Sequence, residues 1–361
     1  MSAPLAPSRR VRRTPWTERV EAAGVSAWTV YNRMRLPASF RGAVEDCRHL
    51  KSAVQVWDVA CERQLEIAGP DAGRLVQYLT PRDLSRLGEG RCAYLPVCGP
   101  DGGMLNDPVA LRVEEDRWWL SLADGDLGLW AMGIAHAGGY DVAIGEPDVH
   151  PLAVQGPLAI ELAARVMGEG VRDLRFFGWA RMAFGGARMV VARSGYSRQG
   201  GVEIYCPGPQ AAALWDALFE AGRDLDVRAG CPNLIERIEG GLLSYGNDMT
   251  AEDSPFEAGL GRYCDGAHDH VGRAALAARR APGRTIRPVE IEADTLPACE
   301  APWAVESEGR RVGQVTSAAH SRAAGCGVAI GMIEVDAGAD ASVRLPDGRR
   351  LPARIRRKFW I

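Results

Sequence analysis

The sequence has little lysine and little net charge. Among its 43 basic residues, Lys51 and Lys358 are the two lysines, and 46 acidic residues bring the formal net charge to −3. A nucleic-acid or membrane-surface partner requires a concentrated basic face, so we expect neither. No apolar run reaches the roughly 20 residues that cross a bilayer, which argues against a transmembrane helix.

Cysteine pairs and export signals are missing as well. The nine cysteines form no CxxC motif and are odd in number, a pattern typical of a reducing compartment where thiols are small buried hydrophobes. Arginines stand at positions 9, 10, 12 and 13 without a following apolar run, so neither a secretory nor a twin-arginine signal is indicated. We therefore expect a cytoplasmic protein.

The common motifs for metals, nucleotides and nucleophiles are also absent from the sequence. His268-Asp269-His270 has the right residue types for a metal, but no third ligand set stands near it, so we expect a solvated loop and no metal. There is no Walker loop, no GxGxxG after a strand and no GxSxG. Function must be sought in less general motifs.

A degenerate repeat organises the first two thirds of the chain. Residues 65–72 alternate like a strand and turn at a Gly-Pro, and helically spaced apolar residues follow; the pattern returns at 152–167. With the hairpin and helix that follow it, each copy has the order strand-helix-strand-strand-helix, which is most of a split βαβ unit. We therefore predict two related α+β domains. Each copy continues into a predicted hairpin and a predicted helix, at 92–122 and 124–136 in the first copy and at 181–205 and 208–221 in the second.

The remainder of the chain predicts a different architecture. After a Gly- and Arg-rich stretch that runs through Pro288, short alternating segments separated by turns indicate a small β-barrel or meander. The segments are 289–291, 304–305, 312–315, 328–333, 343–345 and a last one at Ile355.

Two blocks carry the strongest functional signal. The first, RSGYSRQGGVEIY at 193–205, places Tyr196 and Glu203 seven residues apart across a glycine-rich turn. The second, CPNLIERIEGGLLSYGNDMT at 231–250, carries Arg237 on a short apolar stretch. Together they resemble the folate-dependent aminomethyltransferase family, the T-protein of glycine cleavage and its relatives. The resemblance implies that these three side chains bind tetrahydrofolate.

The same resemblance implies a fold of the T-protein type. It has two α+β domains and a C-terminal β-barrel set around a central folate site, with a discontinuous first domain. The implied boundaries are 1–54 with 148–243 for the folate-binding domain, 55–147 with 244–285 for the second α+β domain, and 286–361 for the barrel.

Glu203 has chemistry that suits a pterin. A carboxylate can accept two N–H bonds from a ring edge that presents paired donors, and Glu203 alternates with apolar Val202 and Ile204 along its strand. Taken by position alone, a solvent-facing strand residue is the more frequent interpretation, and the matched block favours the ligand. The resemblance adds Tyr94 and Ser121 to the cofactor-binding set.

Asp107 is the candidate catalytic residue. It follows the glycine turn of GGMLNDPVAL, and the resemblance implies that it faces the reactive pterin nitrogen. The family usually has two acids in this turn, whereas Asn106 stands before Asp107 here. Aminomethyl transfer must manage an amine leaving group, so the missing carboxylate argues against that reaction. By itself, Asn-Asp-Pro is an ordinary turn.

Arg237 and the tyrosines complete the predicted site. A surface arginine paired with Glu236 or Glu239 is the plain interpretation, and the resemblance instead places Arg237 on the benzoyl-glutamate or the substrate carboxylate. A cationic substrate is held by aromatic faces at about 0.5–2 kcal/mol per contact. Although most large aromatics belong to the core, we expect substrate contacts from a set of three tyrosines: Tyr31, Tyr196 and Tyr205.

The N-terminal half narrows the choice within the family. Blocks at 12–40, 54–67, 80–86 and 118–130 depart from the glycine-cleavage T-protein and resemble the dimethylsulfoniopropionate demethylase branch. Arg33 stands where that branch leads us to expect histidine, so substrate identity depends on whether it reaches the pocket. The implied partner is a small sulfonium zwitterion, and the oligomeric state is open, a homodimer included.

The implied reaction moves a methyl group from a sulfonium to N5 of tetrahydrofolate, which yields 5-methyltetrahydrofolate and 3-methylmercaptopropionate. A neutral thioether leaves, so no general acid is required and we expect a shallow pH dependence between about 6.5 and 8.5. Two alternatives stay open. One is a demethylase for a betaine or an aryl methyl ether, and the other is a non-catalytic folate-binding scaffold.

Overall fold

The computed structural model describes residues 8–361, which form two compact units. The first unit comprises the described chain up to Gly73, together with Leu87–Ala93 and Val109–Asn233; the second comprises Arg74–Arg86, Tyr94–Pro108 and Leu234–Ile361. Both units are discontinuous in sequence. The domain boundaries implied by the family resemblance stay a prediction.

The N-terminal segment begins with a short helix and a hairpin. Its elements are α1 (Thr17–Ala22), β1 (Ala27–Tyr31), β2 (Met34–Ser39), α2 (Ala43–Leu50) and β3 (Val54–Asp58). The strands β1 and β2 pair antiparallel through a two-residue turn, Asn32-Arg33, in which both residues have positive φ, 49° and 61°. Asparagine tolerates this left-handed conformation better than most residues, and such turns match the twist of a hairpin.

The first copy of the repeat builds a five-stranded sheet. Its elements are β4 (Gln64–Ala68), α3 (Ala72–Leu79), β5 (Cys92–Tyr94), β6 (Val97–Cys98), β7 (Met104–Asn106), β8 (Val109–Glu114), β9 (Arg117–Ser121), α4 (Leu127–Gly138) and β10 (Ala143–Gly145). The strand order is β10-β4-β9-β8-β5, and β6 pairs separately with β7. The predicted helix at 124–136 is α4, displaced by two or three residues.

The second copy builds a six-stranded sheet. Its elements are β11 (His150–Gln155), α5 (Ala159–Met167), β12 (Trp179–Phe184), β13 (Ala187–Ala192), β14 (Gly201–Cys206), α6 (Gly208–Ala221) and β15 (Val227–Gly230). The order is β12-β13-β14-β11-β3-β15. The N-terminal strand β3 therefore lies between two strands of the second copy, antiparallel to β11 and parallel to β15.

The core of the first unit lies under the six-stranded sheet. Leu162 of α5 and Leu214 and Leu218 of α6 are fully buried and belong to the same apolar cluster as Val54 and Val154 of the sheet. Trp16 joins this cluster, and its indole N–H donates to the carbonyl of Ala211 at 2.7 Å. The N-terminal segment is thus fixed to the second copy by packing as well as by strand pairing.

The second unit contains the predicted barrel. Helices α7 (Leu234–Glu239) and α8 (Arg273–Ala278) precede β16 (Arg284–Ile291), β17 (Trp303–Ser307), β18 (Arg310–Ser321), β19 (Cys326–Glu334), β20 (Asp340–Arg344) and β21 (Arg350–Ile355). These strands close in the order β16-β19-β18-β17-β20-β21, which confirms the prediction. Ile238 of α7 packs against Val328 and Ile330 of β19.

Within residues 8–361, short 3₁₀ helices occupy Glu169–Asp173 and Arg223–Leu225 in the first unit and Gly261–Tyr263 in the second.

Within residues 8–361, none of the helices has the length and apolarity that crossing a membrane requires.

A buried carboxyl group anchors the N-terminal segment. The Thr14 hydroxyl donates to Oδ2 of Asp58, and the Ala60 N–H donates to Oδ1 at 3.2 Å. Asp58 is 1% exposed, and burial raises its pKa to about 6 even though both hydrogen bonds favour the ionised form.

Asp58 should make the protein less stable as the pH rises. Because the folded-state pKa lies above the unfolded value, the contribution of Asp58 to stability is complete below about pH 4 and is lost as the pH rises through about 6. Between pH 5 and 8, the free energy of unfolding of the wild type relative to Asp58→Asn should fall by roughly 1–1.5 kcal/mol. Urea unfolding of both proteins at the two pH values measures this. An equal difference in the free energy of unfolding at pH 5 and pH 8 would contradict the prediction.

Candidate functional site

Glu203 lies in the middle of β14 and is buried. Its register partners are Ala153 on β11 and Ala192 on β13, small residues that flank the glutamate on both sides. The side chain is 6% exposed, and the Ser194 hydroxyl donates to Oε2. Burial raises the pKa of Glu203, and the hydrogen bond from Ser194 offsets only part of the rise. A carboxylate in such surroundings gains from N–H donors of a ligand.

The glycines of the first motif block allow its loop to fold over Gln155. A Cβ on Gly195 would lie 2.1 Å from Nε2 of Gln155, and one on Gly201 would lie 2.1 Å from the carbonyl oxygen of Val154. Nε2 of Gln155 donates to the carbonyl of Ser194 at 3.2 Å. Any larger residue would displace this loop, so the glycines hold Ser194 beside Glu203.

The other predicted residues of the first unit vary in exposure. Tyr31 and Tyr196 are half-buried, whereas Tyr205 is 1% exposed and its ring lies 6.0 Å from that of Trp119. The Tyr205 hydroxyl has no hydrogen-bond partner of normal geometry in the described chain, and the Ser121 side chain opposes the burial-driven rise in its pKa. Ser121 also accepts from Nε2 of Gln64 at 2.9 Å.

Asp107 of the second unit has one satisfied and one unsatisfied oxygen. The Tyr94 hydroxyl donates to Oδ2 at 2.6 Å, while Oδ1 is out of contact with solvent and has no partner among residues 8–361. Burial raises the pKa of Asp107 to about 7 against the opposing hydrogen bond from Tyr94. This pKa lies inside the range where the sequence led us to expect a shallow pH dependence, so the pH dependence that we predict below differs from that expectation.

Side chains that the sequence analysis did not assign hold the turn of Asp107. The Tyr94 ring meets Tyr263 edge-on at 5.5 Å, and the Arg82 guanidinium donates to the carbonyl of Tyr94 at 2.7 Å. The Tyr245 hydroxyl donates to the carbonyl of Met104 at 2.9 Å. Tyr245 stands in the second motif block and was a visible candidate. Arg82 and Tyr263 stand in segments whose sequence gives no comparable signal.

Arg237 pairs with Asp248 in the same unit. Its guanidinium donates to Oδ2 of Asp248 at 2.8 Å and to the Ser317 hydroxyl of β18 at 2.7 Å, and the Asp248 side chain has no exposed surface. The plain interpretation named Glu236 or Glu239 as the partner of this arginine, and the structure places it on the aspartate of the Tyr-Gly-Asn-Asp turn instead. The buried pair ties α7 to the barrel.

Two further features of the sequence, Arg33 and His268, have local partners in the structure. Arg33 has 67% of its side chain exposed and pairs with Asp126 at 2.7 Å. His268 shares hydrogen bonds with the Gln77 side chain and the Thr80 carbonyl. Within residues 8–361, no group of three or more His, Cys, Asp and Glu side chains is arranged to hold a metal ion.

Comparison with known proteins assigns the family. The profile described as GCVT N-terminal domain matches residues 16–267, and the one described as Glycine cleavage T-protein C-terminal barrel domain matches residues 284–360. The chain therefore belongs to the glycine-cleavage T-protein family of folate-dependent enzymes, which confirms the resemblance drawn from the two motif blocks and the predicted fold class.

Individual relatives refine this picture. The chain is 55% identical over 364 residues to dimethylsulfoniopropionate demethylase DmdA of Ruegeria pomeroyi, an alignment that covers 99% of this chain and 100% of the relative. It is 30% identical to an aminomethyltransferase of Clostridium botulinum over 311 residues, 83% of each chain. The crystal structure of the glycine cleavage aminomethyltransferase T of Bartonella henselae matches with a TM-score of 0.86 at 22% identity, covering 97% of this chain and 98% of that one.

Replacement of Glu203 should weaken folate binding. Because a buried carboxylate that accepts N–H bonds contributes about 1.5–3 kcal/mol, Glu203→Ala should raise the Kd for tetrahydrofolate by about 10–150-fold. Calorimetric titration under anaerobic conditions measures this. Glu306→Ala removes a barrel glutamate that pairs with Arg350 at 3.1 Å and serves as the control. An unchanged Kd in a folded Glu203→Ala variant would remove Glu203 from the site.

Proposed function

We propose that this protein transfers a methyl group from dimethylsulfoniopropionate to tetrahydrofolate. The products are 3-methylmercaptopropionate and 5-methyltetrahydrofolate. The full-length identity of 55% to a dimethylsulfoniopropionate demethylase supports the donor. The observation that carries the chemistry is the single carboxyl group of GGMLNDPV at 102–109: Asn106 stands where the family usually has a second acid, and Oδ1 of Asp107 is buried without a partner in the described chain.

The residues fit a folate. Tetrahydrofolate, when bound, supplies the nitrogen nucleophile N5. Glu203 accepts ring N–H groups of the pterin, because its buried carboxylate gains from donors there. Oδ1 of Asp107 is a buried acceptor without a donor, and a ligand N–H satisfies it. Tyr94, Ser121 and Tyr196 are the further cofactor contacts that we propose. Arg237 keeps its proposed contact with an anionic group, although its guanidinium also holds Asp248.

The donor needs positioning more than proton chemistry at its leaving group. A sulfonium loses its charge when the methyl group departs, so the thioether leaves without protonation. The aromatic rings of Tyr31, Tyr196 and Tyr205 stabilise the cation and exclude water from it. In-line placement of the methyl carbon against the nucleophile supplies the rest of the rate enhancement. No general acid acts on the donor.

Asp107 takes the proton that methylation makes acidic. Before the transfer, the Tyr94 hydroxyl stabilises the ionised carboxylate by donating to Oδ2. Asp107 then accepts the proton at Oδ1 and becomes neutral. Because the pKa of Asp107 is about 7, a large fraction of the enzyme is ready for this step at neutral pH. A pKa near the working pH is the best compromise for a general base.

The setting of the reaction follows from the same proposal. The donor is a small zwitterion, so neither a nucleic acid nor a membrane is required. Seven of the nine cysteines are buried, as expected of thiols that serve as small hydrophobic residues, and this supports a cytoplasmic location. A homodimer stays a prediction.

A panel of methyl donors tests the proposal. Tetrahydrofolate is supplied with dimethylsulfoniopropionate, glycine betaine or an aryl methyl ether, and 5-methyltetrahydrofolate is quantified. We expect product from the sulfonium alone and no aminomethyl transfer. Product from the nitrogen or oxygen donor would favour the alternative demethylase, and folate binding without product from any donor would favour the scaffold.

The rate should depend on the ionisation of Asp107. We expect kcat to rise with pH through about 7, because the base must be ionised. Tyr94→Phe removes a hydrogen bond that lowers the pKa of Asp107. In this variant the rise of kcat should therefore occur at a higher pH than in the wild type. Asp107→Asn should no longer show this rise of kcat with pH, and its rate should be about 10²–10⁴-fold lower. Single-turnover measurements from pH 5.5 to 9 check this.

A pH profile that is the same in Tyr94→Phe and the wild type would show that a group other than Asp107 titrates. Tyr78→Phe serves as the matched control, because it alters another tyrosine of the second unit that no proposal places at the site.

A further inference from the structure

The β1–β2 hairpin is packed mainly through β2, in which Met34 and Pro37 are buried, while Trp28 of β1 contacts the core of the first unit. It forms a two-stranded sheet that joins neither larger sheet, and no residue of β1 is fully buried. Val30 is 38% exposed. An isolated two-stranded ribbon is marginally stable in water, so contacts elsewhere must fix its orientation. Tyr31, the proposed aromatic contact for the donor, is the last residue of β1.

Asn32 docks the tip of this hairpin. Its backbone N–H donates to Oδ1 of Asp124 at 2.7 Å, and its Nδ2 donates to the carbonyls of Cys61 at 3.0 Å and Ala123 at 3.2 Å. Its Oδ1 accepts from the Gly125 N–H at 2.9 Å. The side chain thus satisfies backbone groups of two segments at once, and the residue is 4% exposed.

The segments that Asn32 joins carry two proposed ligand contacts. The 122–125 loop directly follows Ser121 at the end of β9, and Tyr31 directly precedes Asn32. We infer that Asn32 is a positioning residue that fixes Tyr31 against the Ser121 loop and so shapes the donor pocket. The inference rests on the proposed function. The residue type follows from the geometry, since the position needs both a left-handed φ of 49° and a side chain with a donor and an acceptor.

Neighbouring residues carry less of the docking. The Arg33–Asp126 pair is exposed, and such pairs contribute little in water. Asp46 holds the opposite end of the hairpin, where its carboxylate accepts from the N–H groups of Phe40 at 2.9 Å and Arg41 at 3.1 Å. Substitutions of Arg33 at the tip of the hairpin and of Asp46 at its base therefore serve as controls.

Substitution by glycine isolates the side chain of Asn32. Asn32→Gly keeps the left-handed turn accessible and removes the bonds to Cys61, Ala123 and Gly125. We expect the KM for the sulfonium donor to rise about 3–30-fold, the loss of an aromatic cation contact, with kcat reduced less than threefold. Arg33→His and Asp46→Ala should leave this KM within twofold, although Asp46→Ala should lower Tm.

A double-mutant cycle distinguishes positioning from general destabilisation. If Asn32 acts through Tyr31, the Tyr31→Ala/Asn32→Gly variant should have the same donor KM as Tyr31→Ala alone. Additive effects, or a donor KM unchanged in Asn32→Gly, would overturn the inference. Wild-type turnover of the donor tests the proposed function separately, since the inference concerns the ratio between variants.

Hydrogen exchange gives a readout that needs no donor. In Asn32→Gly the amides of residues 29–34 and 122–125 should lose protection together, because one side chain holds both segments. Asp46→Ala should leave the 122–125 amides unchanged. Retained protection of the 122–125 amides in Asn32→Gly would show that the loop is held by other contacts and would overturn the inference even if no donor were turned over.

Discussion

Burial of carboxyl groups away from water is the constraint on which the functional part of this protein depends. Asp58, Asp107 and Glu203 all have their pKa raised by desolvation, and each receives a hydroxyl hydrogen bond, from Thr14, Tyr94 and Ser194 respectively. Among residues 8–361, no arginine forms an ion pair with any of these three carboxyl groups. In contrast, Asp248 is buried with Arg237, and no ligand is needed to balance its charge. The arginine partner thus balances the charge of Asp248, whereas the hydroxyl-bonded Asp107 and Glu203 are free to take the proposed ligand contacts and Asp58 anchors the N-terminal segment.

Local sequence patterns predicted most of the architecture. The Gly-Pro turns, the helically spaced apolar residues and the alternating C-terminal segments led to the repeat, to α6 within a residue and to the barrel. These features depend on neighbours along the chain, which a sequence displays directly. The insertion of β3 between β11 and β15 depends on pairing of residues that are far apart, such as Val54 with Val227. Family resemblance, rather than periodicity, indicated that the N-terminal segment joins the second copy.

In the candidate site, too, contacts between residues far apart in sequence could not be predicted. Glu203, Asp107 and Arg237 were identified through motif blocks, but their partners depend on distant segments. Arg237 meets Ser317 across 80 residues, and Arg82 reaches the turn of Asp107 through the Tyr94 carbonyl. The raised pKa of Asp107 could not be predicted, because a sequence does not show how much water a side chain loses. Desolvation is a property of the packed structure, so titration behaviour is the part of the site least accessible from sequence.

The position of β3 has a consequence for how the chain is made. On a ribosome, β3 emerges early, yet its partner β11 begins at His150 and its other neighbour β15 begins at Val227. Until β11 has been synthesised, the buried strand β3 has no native neighbour, and Trp16 lacks its contact with Ala211 until α6 has been made. Pairings over such separations are slow to form, and unpaired strands associate with other chains. The parallel pairing of β3 with β15 therefore closes a loop that contains both copies of the repeat, and the N-terminal segment has its complete native pairing only after β15 has been synthesised.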